Sequence, residues 1–219
     1  IMRTIPIGPG KQQRKFLKAS TSNQDRRISF MAKNKVGFDI RMAFFTGIGR
    51  YIRGLLSQFK PPQKFDYELF GWGEERFLNL NSHVKNVNAH VYGIKEQILI
   101  PLAGRSCNCL HIPHYNAPLF WPRKLVVTIH DLIHLHFQND LPSTFARFYA
   151  NVMVPLITRR ADAIIAVSEY TKNDLVKTLG VRAEKIIVIH HGIERFFLTV
   201  GDKEPNQSKK HELYFLYVG

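Results

Sequence analysis

The near-continuous apolar run Leu125-Val126-Val127-Thr128-Ile129 limits what this chain can fold into more than any other stretch. A strand with no polar face belongs in a parallel sheet covered on both sides by helices. Further short apolar strands are predicted at Val36–Arg41, Tyr67–Phe70, Ala89–Tyr92, Cys109–Ile112, Leu125–His130, Ala163–Val167 and Ile186–His190. Helical stretches separate the later ones. One runs from about Ser143 to Arg160, with Phe145, Phe148, Tyr149, Val152 and Leu156 on its apolar face and Pro155 expected to kink it. A second opens at Ser168, an N-cap followed by Glu169, and closes at Leu179-Gly180, where glycine suits the C-cap. The alternation reads as an α/β fold, a Rossmann-like, doubly wound parallel sheet.

The first crossing carries a glycine turn. After Val36-Gly37-Phe38-Asp39-Ile40-Arg41 comes Gly47-Ile48-Gly49-Arg50-Tyr51, and apolar spacing at Ile48, Tyr51, Ile52, Leu55 and Leu56 continues as a helix. Glycines let backbone approach a ligand, and a helix start offers unpaired N–H groups and a positive dipole to an anion. A dinucleotide fingerprint wants a third glycine where Ile52 stands, which disfavours NAD and FAD. No Lys-Ser or Lys-Thr pair follows the glycines, so a Walker-type phosphate loop is excluded.

The chain of 219 residues has room for one well-buried domain with a fragment of another, and its 45% hydrophobic content suits a globular α/β protein. No apolar run approaches the roughly 18 residues that span a bilayer, and a cytoplasmic location is expected. Cys107 and Cys109 sit too close on one apparent strand to clip distant segments, which fits a reducing compartment. The formal net charge is +14. Residues 1–30 hold seven basic residues against one acid, carrying +6 and leaving +8 for the rest. This leader lacks periodicity and is expected to be upstream read-through ahead of Met31, or a disordered basic arm. The main domain is expected over 31–200, a polar linker over 201–212, and over 213–219 the first strand of a further domain that does not follow. The remaining charge suits an anionic membrane surface, phosphorylated substrates or nucleic acid.

Ligands of open parallel sheets bind outside the carboxyl ends of the strands. There the chain places Gly47 to Tyr51, His114-Tyr115-Asn116, His130-Asp131, Ser168-Glu169 and His190-His191-Gly192. Two metal sets can be written, Cys107, Cys109, His111 and His114, and His130, Asp131, His134 and His136. Residues two apart on a strand point the same way in a row and do not readily wrap one ion tetrahedrally, so no metal is expected. Aromatic residues follow core periodicity and the bases are scattered, so only a salt-dependent, sequence-blind contact with nucleic acid is expected.

These segments resemble the N-terminal half of a family 4 retaining glycosyltransferase of two-domain GT-B architecture, mannosyltransferase-like. The likeness rests on Phe38-Asp39-Ile40-Arg41, the GIGRY of Gly47 to Tyr51, His111-Ile112-Pro113-His114-Tyr115, and the TIHDL of Thr128 to Leu132. It continues through Ala161 to Thr171, His190-His191-Gly192-Ile193, and the YVG of Tyr217 to Gly219. The resemblance implies an acceptor-side domain that shares a cleft with a donor-binding domain, working on a nucleotide sugar and a glycan or lipid-linked acceptor. That points to surface polysaccharide or glycolipid synthesis, at the inner face of the membrane, with no cofactor. By position, Gly47 and Gly49 would face the donor diphosphate or the acceptor, with Arg50 and Tyr51 at the helix start. His130 would approach the transferred sugar, Asp131 would hold the local turn or the acceptor, and Ser168 would line the cleft. His114, Tyr115, His191 and Gly192 complete the expected substrate-binding set. The family's diphosphate clamp follows the Val-Gly strand, so the 219-residue chain is expected to bind acceptor weakly and turn over little. A non-catalytic carbohydrate- or partner-binding domain is the alternative reading, and a metal-dependent hydrolase built on His130, Asp131, His134 and His136 is a second.

Overall fold

The computed structural model describes residues 34–45, 47–59, 65–72, 84–137 and 144–192. The basic leader, the linker at 201–212 and the aromatic strand at 213–219 lie outside the described residues. Among those described, seven strands form one parallel sheet: β1 (Lys35–Asp39), β2 (Asp66–Gly71), β3 (Val84–Asn86), β4 (Cys109–Ile112), β5 (Lys124–Ile129), β6 (Ala163–Ala166) and β7 (Ile186–Val188). Their order is β3-β2-β1-β4-β5-β6-β7, and every neighbouring pair is parallel. The order reverses between β1 and β4. At such a junction the crevice outside the carboxyl ends opens.

The helices are α1 (Gly47–Leu56), α2 (Glu96–Ala103), α3 (Ile133–His136), α4 (Thr144–Arg160) and α5 (Glu169–Leu179). The apolar run behaves as its composition requires. Leu125, Val127 and Ile129 enter the larger core with Leu110, Ile112 and Ile164, while Thr128 is buried on the opposite side. A second core joins Phe38, Ile40 and Leu69 to Ile52 and Leu56 of α1. Each such side chain contributes roughly 1.5–3 kcal/mol on full burial, and together they fix α1 over β1.

Capping follows the sequence at α5. The Ser168 hydroxyl accepts the Thr171 N–H at 3.0 Å, and Gly180 takes a left-handed conformation at φ 62° that lets the N–H of Val181 reach Leu175 O. In α4 Pro155 lies inside the helix without ending it. The buried positions described there are Ala150, Val154, Ile157 and Thr158, whereas Leu156 is exposed and Val152 half-buried. The expected apolar face is therefore displaced round the helix, and Phe145 and Phe148 lie outside the described side chains.

Ala89–Tyr92 is not a strand. The edge strand is Val84–Asn86, and residues 87–93 form a turn instead. Its backbone groups are spent elsewhere: Ala89 O accepts from the side chains of both Arg41 (3.0 Å) and Trp72 (2.9 Å), and Tyr92 sits at φ 67°, outside any ladder geometry. Helix α2, which contains Pro101, has no counterpart among the sequence expectations.

Candidate functional site

Gly47 and Gly49 lie within the first turn of α1 and not in a turn ahead of it. They differ in what surrounds them. A Cβ on Gly49 would meet Ala43 O at 2.6 Å and Met42 O at 2.9 Å, so only glycine lets the helix start approach the 42–43 backbone. Gly47 is exposed, and a Cβ there would meet nothing within 4 Å. Arg50 is exposed on the same turn.

One turn further on, Tyr51 meets two imidazoles. Its ring lies 5.0 Å from that of His130, edge-on, and 5.0 Å from that of His191, while His130 and His191 are 5.5 Å apart. The three rings come from α1, from the end of β5 and from the segment after β7, so the doubly wound topology is what joins them. The Tyr51 hydroxyl shares a 3.3 Å hydrogen bond with the Thr128 hydroxyl, which in turn lies 2.9 Å from His111 Nε2. Burial raises the Tyr51 pKa, so the phenol stays protonated and able to donate.

His130 Nε2 donates to Pro113 O at 3.0 Å, and its own carbonyl accepts from the Thr171 hydroxyl. Burial lowers the His130 pKa against the opposing pull of the Pro113 carbonyl, and burial lowers His191 as well. His111 is pushed down to about 4, again chiefly by burial. The wall is thus made of neutral imidazoles and a phenol. Such a surface offers hydrogen bonds to hydroxyls without carrying charge into the crevice.

Other expected site residues are placed differently. Asp131 Oδ1 accepts the Ile133 N–H, which holds the local turn. The Ser168 hydroxyl is engaged by Thr171 as a cap. Gly192 is exposed, at the end of the described residues. Tyr115 is half-buried, accepting from Tyr92 OH and packing edge-on to His134. His114 corrects the expectation of a ligand-touching ring. It is 1% exposed, because its Nδ1 accepts the Asn116 N–H and its Nε2 faces Asp39 Oδ2 at 3.7 Å.

That ring belongs to a buried charged cluster which sequence reasoning missed. Arg41 donates to both Asp39 oxygens (Nη2 at 2.8 Å, Nε at 3.0 Å) and from Nη2 to Glu96 Oε2 at 3.0 Å, and Asn116 Nδ2 closes onto Glu96 Oε1. Burial pushes the Asp39 carboxyl up, but Arg41 and His114 more than reverse this and hold it well below the usual carboxylate range. Burial raises Glu96 to about 7 despite Arg41. The signal was opposite charges two apart at the end of an apolar strand, Asp39 and Arg41. Glu96 carried none.

The two candidate metal sets come apart. Cys107 Sγ faces Glu68, His111 faces Thr128, His130 faces Pro113 O, and His136 pairs with Asp174 at 2.8 Å. Among the described residues no three His, Cys, Asp or Glu side chains gather in a group that could hold a metal ion. No helix among them is long and apolar enough to cross a membrane.

A doubly wound parallel sheet with a neutral polar wall at its switch point is the design of a small-molecule-handling α/β domain. The family model of Glycosyltransferase Family 4 matches residues 47–195, a stretch that contains α1, His130 and His191, and the chain belongs to that family. It is 26% identical over 128 residues to the O-antigen chain mannosyltransferase RfbU of Salmonella typhimurium, an alignment covering 58% of this chain and 32% of that protein. The chain thus spans about a third of the length of that curated relative. Its fold is similar to that of HepE from Anabaena, whose crystal structure is a complex with UDP-glucose. The TM-score is 0.51 at 14% identity, covering 76% of this chain and 50% of that one.

Proposed function

We propose that the chain is the acceptor-side domain of a retaining glycosyltransferase that moves a sugar from a nucleotide-sugar donor to a glycan or lipid-linked acceptor in surface polysaccharide or glycolipid synthesis. The observation that carries this reading is the contact of Tyr51, His130 and His191 at the carboxyl edge, inside the family-matched stretch. In it, the positive end of the α1 dipole at Gly47 favours departing phosphate charge, and Arg50 adds its cation. The His130 ring orients a sugar hydroxyl through its free nitrogen, and Tyr51 holds that ring edge-on. The nucleotide sugar is substrate, so the reading needs no resident cofactor. Mannose is the sugar favoured by the likeness to a mannosyltransferase.

Docking on an anionic membrane at the cytoplasmic face belongs to the same proposal. Its support is the net charge of +14 together with an exposed row at four-residue spacing on and before α2, Ile94, Ile98 and Leu102 at 81%, 61% and 59%, flanked by exposed Lys95 and Arg105. Vesicle flotation should recover the chain with anionic lipid and not with neutral lipid; equal recovery from both removes the docking element. The transferase reading is tested by incubating the protein from its source cells with labelled GDP-mannose, UDP-glucose and UDP-galactose and the membranes of those cells. Label entering lipid or glycan from one donor supports it, and no incorporation from any of the three overturns it.

A further inference from the structure

Thr128 is the single polar side chain in the apolar run Leu125 to Ile129, and it is fully buried. A hydroxyl in such a place costs free energy unless it is hydrogen-bonded, and a valine would fill the same space in a strand without that cost. Residues two apart on a strand share a face, so Thr128 stands beside Val126, on the side of β5 opposite Leu125, Val127 and Ile129. Val126 pairs with His111 of β4, and His111 pairs with Phe38 of β1. This places Phe38, His111 and Thr128 together on the face that α1 covers.

Two partners meet the Thr128 hydroxyl. His111 Nε2 is 2.9 Å from it and the Tyr51 hydroxyl 3.3 Å. A hydroxyl has one proton to give and lone pairs to accept with, so it serves both at once. His111 is itself set against Phe38, with ring centroids 5.0 Å apart. The three side chains therefore form one hydrogen-bonded line from β4 through β5 to α1. Its inner end is packed within the sheet, and its outer end is the phenol of the three-ring wall.

Tyr51 needs such a tether. Aromatic pairs accept several arrangements with centroids about 4.5–7 Å apart, so contact with His130 and His191 alone leaves the angle of the phenol ring soft. A hydrogen bond at the far end of the ring removes that freedom. His130 comes two residues after Thr128, about 6.6 Å further along the strand direction. Tyr51 thus rests its hydroxyl on one residue of this strand end and its ring edge-on, at 86°, against the other. His130 is pinned separately, at its ring by Pro113 O and at its carbonyl by the Thr171 hydroxyl, so the tether sets Tyr51 against a fixed partner.

We infer that Thr128 is a positioning residue of the site: its hydroxyl, held by His111, fixes the Tyr51 phenol so that the ring stands edge-on to His130 and against His191. At 0% exposure Thr128 reaches no ligand, so its effect passes through Tyr51. The consequence for sugar transfer rests on the transferase reading, while the alignment of Tyr51 is independent of it.

The test has two readouts. The first is fluorine NMR of the 219-residue chain labelled with fluorotyrosine, the Tyr51 resonance being assigned by its loss in Tyr51→Phe. Thr128→Val keeps the shape of the side chain without the hydroxyl and should shift that resonance, whereas Thr128→Ser keeps the hydroxyl and should leave it near its wild-type position. The second is sugar incorporation by source cells carrying the same changes in the native gene, at matched protein level. Thr128→Val should lower transfer about tenfold and Thr128→Ser should stay within about twofold of wild type. Added to Tyr51→Phe, Thr128→Val should lower transfer no further, because a residue acting through the phenol loses its effect once that hydroxyl is gone. Tyr51→Phe breaks the same bond from its other end, so wild-type transfer in that variant overturns the proposal even where Thr128→Val fails to fold. An unmoved Tyr51 resonance in Thr128→Val, an equal shift in Thr128→Ser, wild-type transfer in Thr128→Val, or a full further loss in the double change overturns it too. Absence of transfer by unaltered source cells from every donor overturns the transferase instead, and the resonance then decides the alignment of Tyr51.

Discussion

His130 donates its Nε2 proton to the Pro113 carbonyl at 3.0 Å, which leaves Nδ1 as the accepting nitrogen of a neutral ring. Pro113 follows β4 and His130 follows β5, so one hydrogen bond across paired strands sets the tautomer at the crevice. Burial keeps that ring's pKa below the usual histidine value. Transfer by the source protein should therefore hold as pH falls through the ordinary histidine range, and decline only below it. A pH–rate profile with its acid limb at or above 6.5 would contradict this assignment.

His111 predicts a stability slope. Its folded pKa of about 4 lies below the ordinary histidine value of 6.5, so between these pH values the unfolded chain binds the proton that the folded chain refuses. Stability contributed by the neutral ring is present above 6.5 and falls as pH drops towards 4, by up to about 3 kcal/mol. Urea melts of wild type and His111→Gln should show wild type losing its relative advantage over that window. A pH-independent difference would contradict it.

Glu96 predicts the opposite sign. Its carboxyl titrates at about 7 in the fold against an ordinary glutamate value of 4.5, so the folded chain holds a proton that the unfolded chain releases. Stability relative to Glu96→Gln should fall as pH rises from about 4.5 to about 7, then level off. Removing the cation instead, as Arg41→Met, leaves Asp39 and Glu96 facing each other in the interior and should cost about 3–5 kcal/mol. A flat comparison with Glu96→Gln would place the proton elsewhere in the cluster.

The two glycines of α1 should part company. Gly49→Ala drives a Cβ to 2.6 Å from a backbone oxygen, so its cost should exceed the gain of about 1 kcal/mol that alanine brings to a helix. Gly47→Ala meets nothing within 4 Å and should be neutral or stabilising by about 0.5–1 kcal/mol. Thermal melts of the two variants check this, and equal destabilisation would contradict the packing described at Gly49.

Most of the sheet was legible because its signal is local. An apolar run without a polar face, Leu125 to Ile129, can only be a doubly covered strand, and Ser168 with Gly180 bracket a helix by capping chemistry alone. What was not legible depends on partners distant in sequence. Ala89–Tyr92 has the apolar content of a strand, yet Arg41 and Trp72 claim the Ala89 carbonyl from elsewhere in the chain. His114 looked like a ligand because it follows a strand, and only its burial against Asp39 gives it another task. Tyr51, His130 and His191 could each be placed at the edge, but their mutual contact needed the strand order.

The most direct test of the three-ring wall is sugar incorporation by source cells carrying His130→Ala in the native gene, at matched protein level. Loss of the ring that orients the sugar hydroxyl should lower transfer by about 100-fold, with the thermal stability of the protein changed far less. Transfer at the wild-type rate in that variant would contradict the assignment of the wall as the sugar-transfer site.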